Sequence, residues 1–268
     1  MERLRIVRMA ALAASAYLVG SVQVPRIVQR LVSDEPPTDH FTLEWGDGHR
    51  MRFDSAGATT VEVTAGPALG VITSLLDMSK SVVPAIWLRR TYPSQPFDAV
   101  WSTAAVIGQM LPPQHRFKGG RGSAMIIATC ASRDPLSIPA SILASQLVGI
   151  YLLRNPLLGA HGWTAMLPVW FALRRKPDLL AYMLVVNSVR WAASLSEIRQ
   201  IRHYRQTGQF ETREFHEVFE SNHVGYIHKW LRERRLIHYA YMDEEEVAAL
   251  PAAPDEPTHA EPADPPAS

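Results

Sequence analysis

Two stretches of 19 residues, Pro135–Leu153 and Asn155–Leu173, carry no formal charge and are separated only by Arg154. A helix needs about 20 apolar residues to cross the roughly 30 Å of hydrocarbon in a bilayer. A helix on the surface of a soluble protein shows a polar face at every turn, and neither stretch has one. They predict membrane helices, and other runs then read the same way. Val63–Leu88 carries only Asp77 and Lys80, Leu179–Leu195 only Arg190, and Ala99–Gln114 and Gly122–Ser132 are shorter uncharged runs. Met9–Val24 follows Arg3, Arg5 and Arg8. Alone it reads as a secretory signal peptide; with apolar runs behind it, it reads as a retained first span. The expected fold is all-α, a polytopic membrane bundle of about seven transmembrane helices with a short soluble C-terminal extension.

Average composition hides this pattern, because the net charge of +1 is that of an ordinary soluble chain. Charges are gathered into the turns Arg89–Pro93, Arg133–Pro135 and Arg174–Asp178, each pairing an interfacial cation with a proline. A basic body and an acidic tail do not suggest a nucleic-acid partner. The single cysteine, Cys130, excludes a disulfide framework and any Cys-rich metal site, and reads as core filler. No cofactor or metal is expected. The membrane domain is placed at 1–208, with a polar loop insertion at 33–55. Thr42, Glu44, His49, Met51 and Phe53 alternate around Trp45-Gly46-Asp47-Gly48 and suggest a small β-hairpin. A soluble juxtamembrane extension follows at 209–250. Its segment Tyr226–Tyr241 suits a membrane-surface helix or a solvated one. Residues 251–268, with six prolines and four acids, read as disorder.

The chemistry concentrates in Phe117-Lys118-Gly119-Gly120-Arg121-Gly122. Gly119, Gly120 and Gly122 allow close approach of an anion to backbone N–H groups. Lys118 and Arg121 add charge, and arginine can grip phosphate with two parallel hydrogen bonds. The next helix would aim its N-terminus at the same place. A plain glycine-rich connector is the alternative. Asp77 and Lys80, spaced i, i+3, share a helix face. They form either a structural intramembrane ion pair or part of a substrate site. His161 reads as an interhelical hydrogen-bond donor; Arg154 either holds a phosphate or snorkels to the interface.

These motifs resemble, in order, those of the acyl-phosphate:glycerol-3-phosphate acyltransferase (PlsY-type) family. Tyr17-Leu18-Val19-Gly20-Ser21 is similar to the end of its first span, and Gly57-Ala58-Thr59-Thr60 to Gly-Ala-Thr-Asn of its first loop. Leu75-Leu76-Asp77-Met78-Ser79-Lys80 matches Leu-Leu-Asp-x-x-Lys. Gly108 to Pro112, followed by Phe117 to Gly122, resembles Gly-His-x-x-Pro before Phe-x-Gly-Gly-Lys-Gly. The chain departs from the pattern at Ser55, Thr60, Val63, Gln109 and Arg121. In the third motif, Glu197 and Gln200 stand in one register where the family has His and Asn.

The resemblance implies a divergent member in the bacterial cytoplasmic membrane that moves a fatty acyl group from acyl phosphate to glycerol 3-phosphate, giving lysophosphatidic acid. Its partners would be those two substrates and membrane lipid. Lys118, Arg121 and Ser55 are the catalytic candidates. Gly119, Gly120, Gly122, Thr59, Arg154, Asp77 and Lys80 are the substrate-binding candidates. The family topology puts the N-terminus outside and the motif loops in the cytoplasm, where twelve Lys and Arg face nine on the other side. Two other classes stay open: a non-catalytic paralogue binding lipid or a protein partner, and a small-molecule transporter.

Overall fold

A computed structural model describes residues 2–45, 49–152, 162–207, 229–230 and 233–234. Helix α1 (Glu2–Ser21) starts well before the apolar run, with Arg3, Arg5 and Arg8 exposed on its first turns. Helix α2 (Val24–Val32) follows with Pro25 in its first turn, where a missing N–H costs nothing. The expected hairpin is present. Strands β1 (Phe41–Trp45) and β2 (His49–Phe53) pair antiparallel with Leu43 opposite Met51 and Phe41 opposite Phe53. The two phenylalanine rings stack with centroids 4.7 Å apart.

The run expected as one span at Val63–Leu88 is two helices. Helix α3 (Ala58–Ala65) ends at Gly66, whose φ of +94° suits glycine, and Pro67 opens helix α4 (Pro67–Thr91). Helix α5 (Phe97–Met110) leads through a single 3-10 turn at Pro113–His115 to the glycine loop and helix α6 (Ser123–Ala131). Helix α7 (Ser137–Leu147) runs on as a π-turn over Val148–Leu152. Helices α8 (Trp163–Leu173), α9 (Pro177–Ala193) and α10 (Leu195–Gln206) complete the described bundle.

Among the described residues, the continuous stretch Arg3–Val32 and helix α4 are long and apolar enough to cross a membrane; α9 and α10, bent by 65°, make a third if they form one span. Of the two uncharged stretches that most suggested spans, the described residues are helical over 137–152 and over Trp163–Leu173, and residues 153–161 between them lie outside the described residues. Arg154 and His161 lie outside the described residues, as does nearly all of the chain after Thr207, including the expected tail.

Small residues bring α1 and α5 together. A Cβ on Gly20 would stand 2.0 Å from the Ala105 carbonyl, and one on Gly108 would stand 2.2 Å from that of Tyr17. Such close crossings are how apolar helices gain contact without a hydrophobic drive from water. Ala16, Val106, Met125, Ile126, Leu167, Phe171 and Met183 form the core among α1, α5, α6, α8 and α9. Cys130 is buried in it with its Sγ 3.8 Å from the Met183 sulfur, as core filler should be.

Candidate active site

The glycine loop is shaped by what surrounds it. Arg116 and Phe117 take left-handed backbone angles, which turn the chain sharply after the 3-10 turn. Gly119 then passes so close to α5 that a Cβ would meet the Gln109 carbonyl oxygen at 2.2 Å. The Gly120 N–H donates to that oxygen (3.1 Å), and the Ala56 N–H donates to the Gly119 carbonyl (3.3 Å). The expected nest is therefore corrected in part. Gly120 spends its N–H on α5, and Gly119 is needed for packing. Gly122, at φ +67°, caps α6, whose first helical bond runs from Ile126 N–H to the Gly122 carbonyl. The N–H groups of Ser123, Ala124 and Met125 precede that bond and form the positive end of the helix.

This helix end opens into a cavity of about 500 Å³. Its polar lining includes Ser55, Thr59, Arg121, Ser123, Arg190 and Glu197, and the N-terminus of α3 at Gly57–Ala58 also forms part of the wall. Phe41, Leu43, Met78, Ile127, Trp191 and Ile198 give it an apolar flank. Arg190 is only 7% exposed. It donates to the Arg121 carbonyl (2.6 Å) and to Ser123 Oγ (3.0 Å), clamping the loop to the start of α6. The Arg121 guanidinium donates to the Ala193 carbonyl and forms an ion pair with Glu197. The buried Arg190, the partly buried Arg121 and two helix N-termini thus line one pocket, an arrangement suited to a phosphate group.

The sequence pattern of glycerol-3-phosphate acyltransferases matches residues 10–205, which span every element lining this pocket. The chain belongs to the glycerol-3-phosphate acyltransferase family. The family member of Pseudomonas entomophila is 30% identical over 185 residues, covering 68% of this chain and 89% of that one. The Anaeromyxobacter dehalogenans member is 32% identical over 161 residues, covering 59% and 74%. Crystal structures of PlsY, an integral membrane glycerol 3-phosphate acyltransferase, share the fold. Its glycerol 3-phosphate form aligns with a TM-score of 0.57 at 22% identity, over 74% of this chain and 94% of that one. Its lysophosphatidic acid form aligns at 0.58 and 21%, over 74% and 93%.

Of the site residues named from sequence, this acyltransferase-family fold brings Ser55, Thr59, Asp77, Gly120, Arg121 and Gly122 to the cavity wall. Lys80 turns away from it. Its ammonium pairs with Asp77 (2.8 Å) and donates to the Val22 carbonyl (2.7 Å) and to Gln109 Oε1 (2.7 Å). Gln109 in turn donates to Asp77 (3.1 Å), so the intramembrane pair is tied into a network at the end of α1. The structural reading of Lys80 is the one the contacts support, while Asp77 both pairs with it and faces the cavity. Lys118 is exposed and off the cavity wall. It lies on the side of Asp39, where Arg26 also sits, 3.6 Å from the carboxylate. Burial pushes the Asp39 carboxyl up, but His40 and Arg26, with Lys118 further out, hold it below the ordinary value.

Arg190 was missed as a site residue. Its signal was present, because a lone charge in an apolar run is costly unless it faces a polar site. Glu197 and Gln200 stood out only as candidates for the third motif. Gln200 serves the hairpin, accepting from the Arg52 N–H (3.0 Å) and donating to the Arg52 carbonyl (3.1 Å). The Tyr204 hydroxyl donates to the Arg50 carbonyl (2.6 Å). Helix α10 so fastens the polar insertion over the cavity, where Phe41 and Phe53 form part of the wall.

Proposed function

We propose that this chain transfers a fatty acyl group from acyl phosphate to the 1-hydroxyl of glycerol 3-phosphate, releasing phosphate and giving lysophosphatidic acid. It would do so as a multi-pass protein of about seven spans in the bacterial cytoplasmic membrane. The observation that carries the reading is the convergence of Arg121, Arg190 and the N-terminus of α6 on one cavity that also has a substantial apolar lining. That cavity suits a small phosphomonoester beside an acyl chain. Family membership supports the reading, as does a solved neighbour of the same fold in a glycerol 3-phosphate form.

Acyl phosphate is already activated, so no covalent enzyme intermediate is required. The protein has to hold two anions close together, align the hydroxyl and stabilise the phosphate as it leaves. Arg121, Arg190 and the α6 N–H groups would bind phosphate, with Gly120 and Gly122 shaping the approach. Ser55 and Thr59 would orient the glycerol hydroxyls from the α3 side. Lys118, outside the cavity, would add positive potential at its approach, and Arg154 would add a further phosphate contact. Asp77, braced by Lys80 and Gln109, would fix the wall between them.

The test is acyl transfer by the purified, detergent-solubilised protein, with a long-chain acyl phosphate and the corresponding acyl-CoA offered separately. Lysophosphatidic acid should form with acyl phosphate. No product with either donor, from folded protein, would favour the non-catalytic paralogue. The observation on that side is that the Arg121 guanidinium is already occupied by Glu197.

A further inference from the structure

Three carboxylates line the cavity: Glu62, Asp77 and Glu197. Asp77 is committed to Lys80 and Gln109. Glu62 lies on α3 with its Cβ against Gly70 of α4. Glu197 is different. It is 8% exposed, sits in the first turn of α10 and holds a terminal nitrogen of Arg121. The other terminal nitrogen of Arg121 is on the Ala193 carbonyl, so both terminal nitrogens are engaged and the one nearest Glu197 is held by its carboxylate. A phosphate that grips Arg121 through the nitrogen facing Glu197 takes the place of that carboxylate. The displaced carboxylate stays in the pocket beside the bound phosphate, near the positive end of its own helix.

We propose that Glu197 is a built-in counter-anion of Arg121 that the substrate phosphate displaces, and that the freed carboxylate takes the proton of the attacking hydroxyl. The inference rests on the acyl-transfer reading above. In the step, the glycerol oxygen forms its bond to the acyl carbon while its proton passes to Glu197. The bond from the acyl carbon to the phosphate oxygen breaks, and its electron pair leaves with phosphate. Glu197 then returns the proton to the departing phosphate and closes again on Arg121. A paired carboxylate in the empty site keeps a buried guanidinium from standing uncompensated, which would be costly. It also makes the proton acceptor available only once phosphate has bound.

The test uses Glu197→Gln, which keeps the shape and removes the charge, and Glu197→His, which removes the anion but leaves a group able to accept a proton. Binding of glycerol 3-phosphate and of inorganic phosphate is measured by calorimetry, and turnover with acyl phosphate separately. Glu197→Gln should bind both anions about tenfold more tightly, as expected when one competing charge-assisted contact is removed. Its kcat should fall by roughly 10²–10⁴-fold, the usual range for a lost acid–base group. Glu197→His should bind as tightly as the Gln variant and recover most of kcat. Unchanged or weaker anion binding by Glu197→Gln would overturn the counter-anion role. A kcat within about threefold of wild type would overturn the proton-acceptor role. Absence of acyl transfer by the wild-type protein would remove the proton-acceptor role together with the acyl-transfer reading, while the binding measurement would still decide the counter-anion role.

Discussion

Gly119 and Gly120 are adjacent but constrained to different degrees. A methyl on Gly119 would meet a backbone oxygen of α5 at 2.2 Å, whereas one on Gly120 would meet the Ala56 carbonyl at 3.0 Å. Gly119→Ala should therefore displace the loop and destabilise the protein by about 1–3 kcal/mol, as overpacking does, with Gly120→Ala the milder change. Thermal unfolding in detergent checks this, and equal melting temperatures for Gly119→Ala and wild type would contradict it. Arg190→Ala should cost far more substrate binding than Lys118→Ala, because Arg190 is buried on the cavity wall and Lys118 is exposed away from it. A titration showing the reverse order would refute that placement. Arg121, Gly120 and Gly122 were legible in the sequence because glycine and cation alternate within one short loop. The direction of Lys118 was not, since it follows from the left-handed turn at Arg116 and Phe117. Nor was the role of Arg190, whose partners lie on a loop nearly 70 residues earlier in the chain.

The hairpin shows the same division at the level of elements. Alternation and an Asp-Gly pair predicted its two strands, but nothing local predicted that Gln200 of α10 would hold the Arg52 backbone. Gln200→Leu leaves one N–H and one carbonyl of β2 without their partner, at a cost of about 1–3 kcal/mol each where they are buried. Hydrogen exchange over residues 49–53 should quicken and substrate binding should weaken severalfold. Unchanged exchange there would show that Gln200 does not anchor the strand. Hydropathy located the apolar segments and misjudged their division. It read one span across Gly66–Pro67, where a positive-φ glycine and a proline separate α3 from α4. A window average does not register such a break, because neither glycine nor proline carries charge.

On the scale of the whole molecule, the loop before α3, the glycine loop and the start of α10 meet at one end of the bundle. The start of α1, with its arginines, lies a full helix length away. If the motif loops face the cytoplasm, as the family-like topology expects, a cysteine placed at Gln114, after Cys130 is replaced, should be labelled from the cytoplasmic side only. Labelling from outside intact cells would invert the topology. The motifs are ordered in the sequence like those of the family, and the fold brings residues of three of them, Gly57–Thr59, Asp77–Met78 and Gly120–Gly122, to the wall of one cavity. That gathering is the central claim, and glycerol 3-phosphate binding by the Arg121→Ala/Arg190→Ala double variant tests it most directly. In folded, inserted protein, two lost charge-assisted contacts should weaken binding by about 10²-fold or more. Binding equal to that of wild type would contradict the assignment of this cavity to the substrate phosphate.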